Sequence, residues 1–236
     1  AALARSRGTR SAQHEALGFR ADRRLVLANG FDTEAIAPDP AAPGRLRHDL
    51  GLPGDALLVG AVGRYHPMKD HVCLLRAVGR LADRHPKLHV VLAGRGLEAP
   101  DTKLAGALAG TELDGRVHFL GERDDVETVI AGLDLLVSSS AWGEGFPNVV
   151  AEAMSSAVPA VVTDVGDSAY LVGDTGQVVP PRDPEALARA IDTMLALSDT
   201  CRQDLGRRAR ARIVERFDVR RIAGAYAASW SAQPGA

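Results

Sequence analysis

Short β-branched apolar runs alternate with longer stretches of helical spacing through the middle of the chain. The runs Leu57 to Val62, Leu88 to Ala93, Val117 to Leu120, Leu133 to Ser138, Ala160 to Thr163 and Gln177 to Val179 read as strands. Between them, helical periodicity covers residues near 70–84, 102–109, 125–132, 148–157 and 166–172, followed by helices at about 184–197 and 200–216. Strands that are apolar almost throughout are covered on both faces, and the intervening helices supply the crossovers a parallel sheet needs. The pattern predicts an α/β fold, a doubly wound parallel sheet with helices on both faces.

The chain's first part has a different texture. Residues 1–18 carry a helical pattern, Arg24 to Ala28 a short strand, and Asn29-Gly30-Phe31-Asp32 through Asp39-Pro40 is rich in turn residues before a helix near 42–50. That stretch has the character of a linker entering a domain from elsewhere. Ala1-Ala2 without Met makes a cut from a longer protein the expectation. No internal repeat or low-complexity tract occurs.

Composition narrows the function classes. The 236 residues are 46% hydrophobic and 25% charged, enough for one large or two small packed domains. With 28 basic against 30 acidic residues, no global positive field attracts nucleic acid or an anionic membrane. No apolar run approaches the roughly 20 residues needed to cross a bilayer, and the chain opens on no signal peptide. Cys73 and Cys201 stand far apart; Cys73, within Val-Cys-Leu-Leu, reads as a buried apolar thiol, which fits a reducing, cytoplasmic setting.

In an open parallel sheet the ligand lies beyond the carboxyl ends of the strands, so the residues after each strand are the ones to inspect. After Val62 comes Gly63-Arg64-Tyr65-His66-Pro67-Met68-Lys69. A glycine turn carrying a guanidinium fork and an ammonium can place two cations on one diphosphate, with two solvated loop cations as the alternative. All but three of the 28 basic residues are arginine, so a lysine here is not the compositional default. After Ser138 comes Ser139-Ser140-Ala141-Trp142-Gly143-Glu144-Gly145-Phe146-Pro147-Asn148-Val149-Val150-Ala151-Glu152. Pro147 suits a first helical turn, leaving the N–H groups of Asn148 to Val150 toward the strand ends as an anion site. Glu152, about one and a half turns in, leans back toward that anion and can accept hydrogen bonds from vicinal hydroxyls such as those of a ribose. Glu144, between two glycines, is free to approach a ligand, or simply complements a helix N-terminus. Ser138 to Ser140 are expected to bond locally.

Other chemistries are weakly supported. Gly94-Arg95-Gly96-Leu97-Glu98-Ala99 satisfies a dinucleotide fingerprint in form, but Pro100-Asp101 starts the helix too late for it. The seven histidines form no H-x-H or H-x-x-x-H ligand set, and no D-x-D pair or G-x-S-x-G elbow occurs. No metal or cofactor is expected.

Taken together, Asn-Gly-Phe-Asp at 29–32, Gly63-Arg64 with Lys69, Val-His-Phe-Leu-Gly at 117–121, Glu-Gly-Phe-Pro-Asn-Val-Val-Ala-Glu from Glu144 to Glu152, and Pro-Ala-Val-Val-Thr-Asp-Val-Gly-Asp at 159–167 resemble retaining glycosyltransferases of family 4. The likeness covers about residues 24–216. It implies one Rossmann-like half of a GT-B fold, the nucleotide-sugar half. Residues 1–28 would then be the tail of a largely missing acceptor domain with its hinge, 29–216 the donor-binding domain, and 217–236 a terminal helix crossing back, leaving Tyr226 and Trp230 exposed. The resemblance further implies metal-independent transfer of a hexosyl group, with retention, from a nucleoside diphosphate sugar to a carbohydrate or lipid-linked acceptor in polysaccharide, lipopolysaccharide or glycolipid synthesis. Arg64 and Lys69 look like the pair neutralising the departing diphosphate, Glu144 like the holder of donor-sugar hydroxyls, and Glu152 like the ribose ligand. The backbone of Gly63, Gly145, Phe146, Pro147, Asn148 and Val149 would meet sugar and phosphate, and Arg123 the base, chiefly through its backbone. The expected partners are the donor, the acceptor and the missing domain. Nucleic acid is not among them, and membrane contact would fall to the missing half.

Two departures stand out. Trp142-Gly143 replaces a more usual Gly-Gly, with Trp142 either stacking on the donor sugar or walling the pocket, and His66-Pro67-Met68 makes an inserted loop. The rivals are a non-catalytic nucleotide-binding module, a nucleotide-sugar epimerase and a dinucleotide oxidoreductase. The chain alone is expected to transfer little or nothing.

Overall fold

The computed structural model describes residues 2–4, 24–113 and 115–231. A short parallel pair, β1 (Ala2–Ala4) and β2 (Arg24–Val26), pairs Ala2 with Arg24 and Ala4 with Val26. The helix expected over residues 1–18 is therefore a strand at residues 2–4, and the rest of that expectation lies outside the described residues. Three residues of Ala and Leu carry too little periodicity to signal a strand whose partner is 22 positions away.

The main body follows in strict alternation: α1 (Ala42–Asp49), β3 (Leu57–Val62), α2 (His71–Gly79), β4 (Leu88–Ala93), α3 (Thr102–Leu108), β5 (Val117–Gly121), α4 (Val126–Ala131), β6 (Leu135–Ser138), α5 (Asn148–Ser155), β7 (Ala160–Thr163), α6 (Ser168–Val172), β8 (Gln177–Val179), α7 (Pro184–Leu195), α8 (Asp199–Phe217) and α9 (Val219–Ser231). The six strands β3 to β8 form one parallel sheet in the order β5-β4-β3-β6-β7-β8. Four of the six expected strands have their expected bounds. The strand expected from Leu133 starts at Leu135, because Leu133 closes a turn on the Ile130 carbonyl. The helix expected over 70–84 ends at Gly79, and Arg80 and Leu81 close turns on the Ala77 and Val78 carbonyls.

The apolar strand residues divide between two cores. Val59, Val90, Leu92, Leu135, Val137 and Val161 face one side, against α2, α3 and α7. Leu58, Val91, Leu136, Ala160 and Val162 face the other, against α1, α4, α5, α6 and the end of α8. This alternation in space is why the strands read as continuous apolar runs in sequence. Several helix starts are fixed by side chains: Asp101 caps α3, Asp183 caps α7 ahead of Pro184, and Ser198 caps α8.

The turn-rich connector is held against the end of α8. Phe31 N–H donates to the Phe217 carbonyl (2.9 Å), and Val219 N–H donates back to Phe31 (2.8 Å). Thr33 Oγ1 donates to Asp218 (2.6 Å), and Arg210 bonds the carbonyls of Thr33 and Ile36. Asp218, extended at φ −58° and ψ 136°, breaks the helical run so that α9 leaves as a separate helix. No α9 residue is buried; Trp230 is 81% exposed as expected, whereas Tyr226 is only partly exposed.

Candidate functional site

The chain goes from β3 outward through β4 and β5, and from β6 outward through β7 and β8, so the loops after β3 and β6 part at the carboxyl edge of the sheet. That crevice is where the predicted residues meet. On the β3 side, Gly63 N–H donates to the Ala93 carbonyl and Tyr65 N–H to the Arg95 carbonyl (both 2.8 Å), joining the β3 and β4 loops. They lie so close that a Cβ on Gly94, whose φ is +143°, would stand 2.3 Å from the Gly63 carbonyl oxygen. His66 to Lys69 then form one 3₁₀ turn, the His66 ring accepting from Met68 N–H (3.1 Å). Asp70, in a left-handed conformation, caps α2 by accepting from Cys73 N–H (3.2 Å). Beneath the turn His71 is 3% exposed, and burial first, then the Lys69 charge, lowers its pKa to about 4, so its ring is neutral. Cys73 is buried as expected, its thiol pushed up to about 12 chiefly by burial.

The loop after β6 is clamped to this turn. Ala141 N–H donates to the Met68 carbonyl and Ser139 Oγ to the Lys69 carbonyl (both 2.8 Å). Thr163 Oγ1, at the end of β7, donates to the Ser140 carbonyl (2.6 Å). From the far side Gly166 presses in so tightly that a Cβ would stand 2.3 Å from the Glu144 carbonyl oxygen, and Asp167 N–H donates to Gly145 (2.9 Å). The result corrects the expectation of a freely approaching Glu144. Its side chain is buried, residue exposure being 8%, and Oε1 accepts from both Lys69 Nζ (2.5 Å) and Ser140 Oγ (2.6 Å). Lys69 is thus turned toward Glu144 rather than standing open beside Arg64. Ser140 bonds locally as expected, but Ser139 reaches across to the β3 loop.

A cleft of about 600 Å³ opens between the loops. Of the predicted site residues, Gly63, Arg64, Lys69, Arg123, Glu144, Phe146, Pro147, Asn148, Val149 and Glu152 all line it, and Gly145 does not. Arg64 is exposed and has no hydrogen bond or ion pair among the described residues. The Arg123 guanidinium is held by both carboxylate oxygens of Asp125 (2.7 and 2.8 Å). Glu152 is half-buried, its carboxylate has no hydrogen bond among the described residues, and burial, then the Glu127 charge, raises that carboxyl above the ordinary value. A desolvated carboxylate facing a cleft is an acceptor in want of donors.

The N-terminus of α5 differs from the expectation in one respect. Pro147 is the residue before the helix, and Val150 N–H is already bonded to the Pro147 carbonyl (3.1 Å), so Asn148 and Val149 carry the available N–H groups. Asn148 is steadied by Asn29, whose Nδ2 donates to its Oδ1 (2.8 Å). Phe146 stacks on Phe31 and meets Phe217 edge-on, fixing the loop where it enters the helix.

Trp142 is not among the residues lining the cleft; it is 45% exposed beneath the Arg182 guanidinium, 5.1 Å from its ring. The Gly94 to Ala99 segment opens no helix, since α3 starts at Thr102 under its Asp101 cap, as the sequence indicated. Yet Gly94, Arg95 and Glu122 line the cleft, and sequence reasoning missed them in that role. Their only signal was position, in the loops after β4 and β5. Among the described residues no group of three or more His, Cys, Asp or Glu side chains could hold a metal ion, and no helix is long and apolar enough to cross a membrane.

A parallel sheet of this order, with a polar cleft at its switch point, defines a Rossmann-like half-fold of the GT-B type. Residues 56–197 match the family described as glycosyl transferases group 1, and the chain belongs to that family. Its structure superimposes on that of HepE from Anabaena, crystallised in complex with UDP and glucose, with a TM-score of 0.85, 30% identity, and coverage of 98% of this chain and 62% of that one. In sequence it is 34% identical over 190 residues to the D-inositol 3-phosphate glycosyltransferase of Corynebacterium glutamicum (strain R), covering 76% of this chain and 45% of that protein. It is 32% identical over 211 residues to the phosphatidyl-myo-inositol mannosyltransferase of Mycolicibacterium smegmatis (strain ATCC 700084 / mc(2)155), covering 87% and 50%. The chain therefore spans about half the length of the curated relatives it matches.

Proposed function

We propose that this chain is the donor-binding half of a retaining, metal-independent glycosyltransferase of family 4, and that its cleft holds a nucleoside diphosphate sugar. The observation that carries this reading is the convergence of Arg64, Lys69, Glu144, Glu152 and a helix N-terminus in one cleft at the switch point. The cleft's size suits a ligand of nucleotide-sugar dimensions. The bound UDP and glucose of HepE, to which this chain is 30% identical, support the same assignment, with UDP as the first base to try.

In this reading the diphosphate lies between Arg64 and the Asn148 and Val149 N–H groups, with Lys69 turning from Glu144 to join it. As the bond between the anomeric carbon and the diphosphate breaks, negative charge grows on the phosphate oxygen, and the two cations stabilise it. The acceptor hydroxyl bonds to the anomeric carbon from the same face, and its proton passes to the departing phosphate. Glu144 holds donor-sugar hydroxyls, Glu152 the ribose, and the Arg123 backbone the base, with the backbone of Gly63, Gly145, Phe146 and Pro147 closing around sugar and phosphate. The acceptor, a carbohydrate or lipid-linked hydroxyl in glycan or glycolipid synthesis, is presented by a second domain, so this chain alone binds donor and transfers little. Any membrane contact belongs to that second domain.

Calorimetric titration with UDP, GDP and ADP, without metal, tests the reading. One nucleotide is expected to bind, with affinity lost in Glu152→Ala; equal indifference to all three at millimolar ligand would overturn it.

A further inference from the structure

The pair Lys69–Glu144 raises a question of supply. Both of Glu144's donors, Lys69 Nζ and Ser140 Oγ, meet the same oxygen, Oε1, while Oε2 has no hydrogen-bond partner among the described residues. The carboxylate thus presents one acceptor to a ligand while the other anchors it. If Lys69 turns to a diphosphate, the anchor loses its cation, and a carboxylate with 9% of its side chain exposed would be left almost unsupported in a poorly solvated site.

We propose that Ser140 is the positioning residue that keeps Glu144 aimed into the cleft once Lys69 has moved to the donor's diphosphate; this rests on the donor-site reading above. Ser140 is 1% exposed and cannot follow the lysine. Its carbonyl is held by Thr163 Oγ1 (2.6 Å), and its neighbours are held too, Ser139 Oγ by the Lys69 and Asp70 carbonyls (2.8 and 3.2 Å) and Ala141 N–H by the Met68 carbonyl (2.8 Å). Its hydroxyl is therefore a fixed donor tied to β7 and to the β3 loop, whereas the lysine stem is long and rotatable. In the ligand-free protein Lys69 and Ser140 share the anchor. With donor bound, Ser140 carries it, and the geometry of Oε2 toward the sugar depends on that one hydroxyl.

The dependence separates sugar from nucleotide. The chain, Ser140→Ala and Ser140→Thr are titrated with UDP and UDP-glucose, with the GDP/GDP-mannose and ADP/ADP-glucose pairs in parallel. For the pair that binds, Ser140→Ala is expected to keep the nucleotide Kd within about twofold while the advantage of the nucleotide sugar over the nucleotide falls about tenfold, the size of one hydrogen bond to a charged group. Ser140→Thr, which retains the hydroxyl, is expected to keep most of that advantage. An unchanged advantage in Ser140→Ala, an equal loss for nucleotide and nucleotide sugar, or no advantage in the unmutated chain would each overturn the Ser140 assignment while leaving the donor site standing. Failure of the unmutated chain to bind any nucleotide would instead overturn the donor-site reading, and this assignment with it.

Discussion

Two ion pairs of similar length stand at opposite ends of the sheet. At the amino edge Arg47 meets Asp134 at 2.6 Å, and at the carboxyl edge Lys69 meets Glu144 at 2.5 Å. Side-chain exposures are also alike, 9% and 20% in the first pair, 20% and 9% in the second. What separates them is how fully the cation is engaged. Arg47 also gives Nε to the Ala56 carbonyl and Nη1 to the Pro43 carbonyl (both 2.9 Å), and Asp134 Oδ2 also accepts from Leu58 N–H (2.7 Å). That pair ties α1 to the starts of β3 and β6. Burial still pushes the Asp134 carboxyl above its ordinary value, outweighing the Leu58 N–H and Arg47, so the pair serves as a strut bought with desolvation. Each carboxylate keeps one oxygen without a hydrogen bond among the described residues, Asp134 Oδ1 and Glu144 Oε2, and each pair lines a cleft. The difference lies in Lys69, whose Nζ has one side-chain partner against three acceptors for Arg47. A lysine with donors to spare can turn to a ligand, whereas an arginine spread over three acceptors holds elements together.

The contrast is broken most forcefully at the strut. Arg47→Ala strands Asp134 and the Ala56 carbonyl, and a loss of about 3 kcal/mol in unfolding free energy is expected in denaturant titration. Glu144→Ala removes a carboxylate whose lysine can turn to solvent, so its loss is expected to be at least about 1 kcal/mol smaller. A Glu144 variant as destabilising as the Arg47 one would erase the distinction between the two pairs.

Next in size is Arg64→Ala. Because Arg64 is exposed and unpaired among the described residues, the unfolding midpoint is expected to stay where it was while nucleotide affinity falls about tenfold in calorimetry. A shifted midpoint with unchanged affinity would make Arg64 structural.

The smallest effect is a pH dependence. Burial and Glu127 raise the Glu152 carboxyl in the free protein, whereas ribose hydroxyls donating to it favour the ionised form. Binding therefore draws its proton off, and affinity falls as pH drops through that raised value, levelling off once the carboxyl is protonated in the complex as well. In Glu152→Gln this component of the pH profile is expected to vanish; its persistence would assign the titration to another group.

The sheet was legible because each strand is a local apolar run with turn residues at its ends, and β3, β4, β7 and β8 need nothing else to be read. The misreadings arose where partners distant in sequence decide. Leu133 extends the apolar run of Leu135 to Val137 across Asp134, but Asp134 is engaged by Arg47, 87 residues away, and the strand begins after it. Ala2 to Ala4 are a strand only because Arg24 to Val26 pair with them. At the site, residue types and positions after strands pointed to lining residues such as Arg64, Lys69, Glu144, Asn148 and Glu152, while others, Arg123 and Phe146 among them, came only from the family resemblance. The Lys69–Glu144 contact joins loops 75 residues apart, and the clamp by Ser139, Ala141 and Gly166 that brings those loops together has no local signature. Which loops meet at the cleft was readable, and the ligand-free arrangement of its charges was not.

The most direct measurement is a crystal structure of the chain with the nucleotide that calorimetry selects. The account predicts the diphosphate between Arg64 and the start of α5, Lys69 Nζ withdrawn from Glu144 toward a phosphate oxygen, and the ribose on Glu152. A nucleotide bound elsewhere, with the Lys69–Glu144 pair intact and the cleft empty, would contradict it.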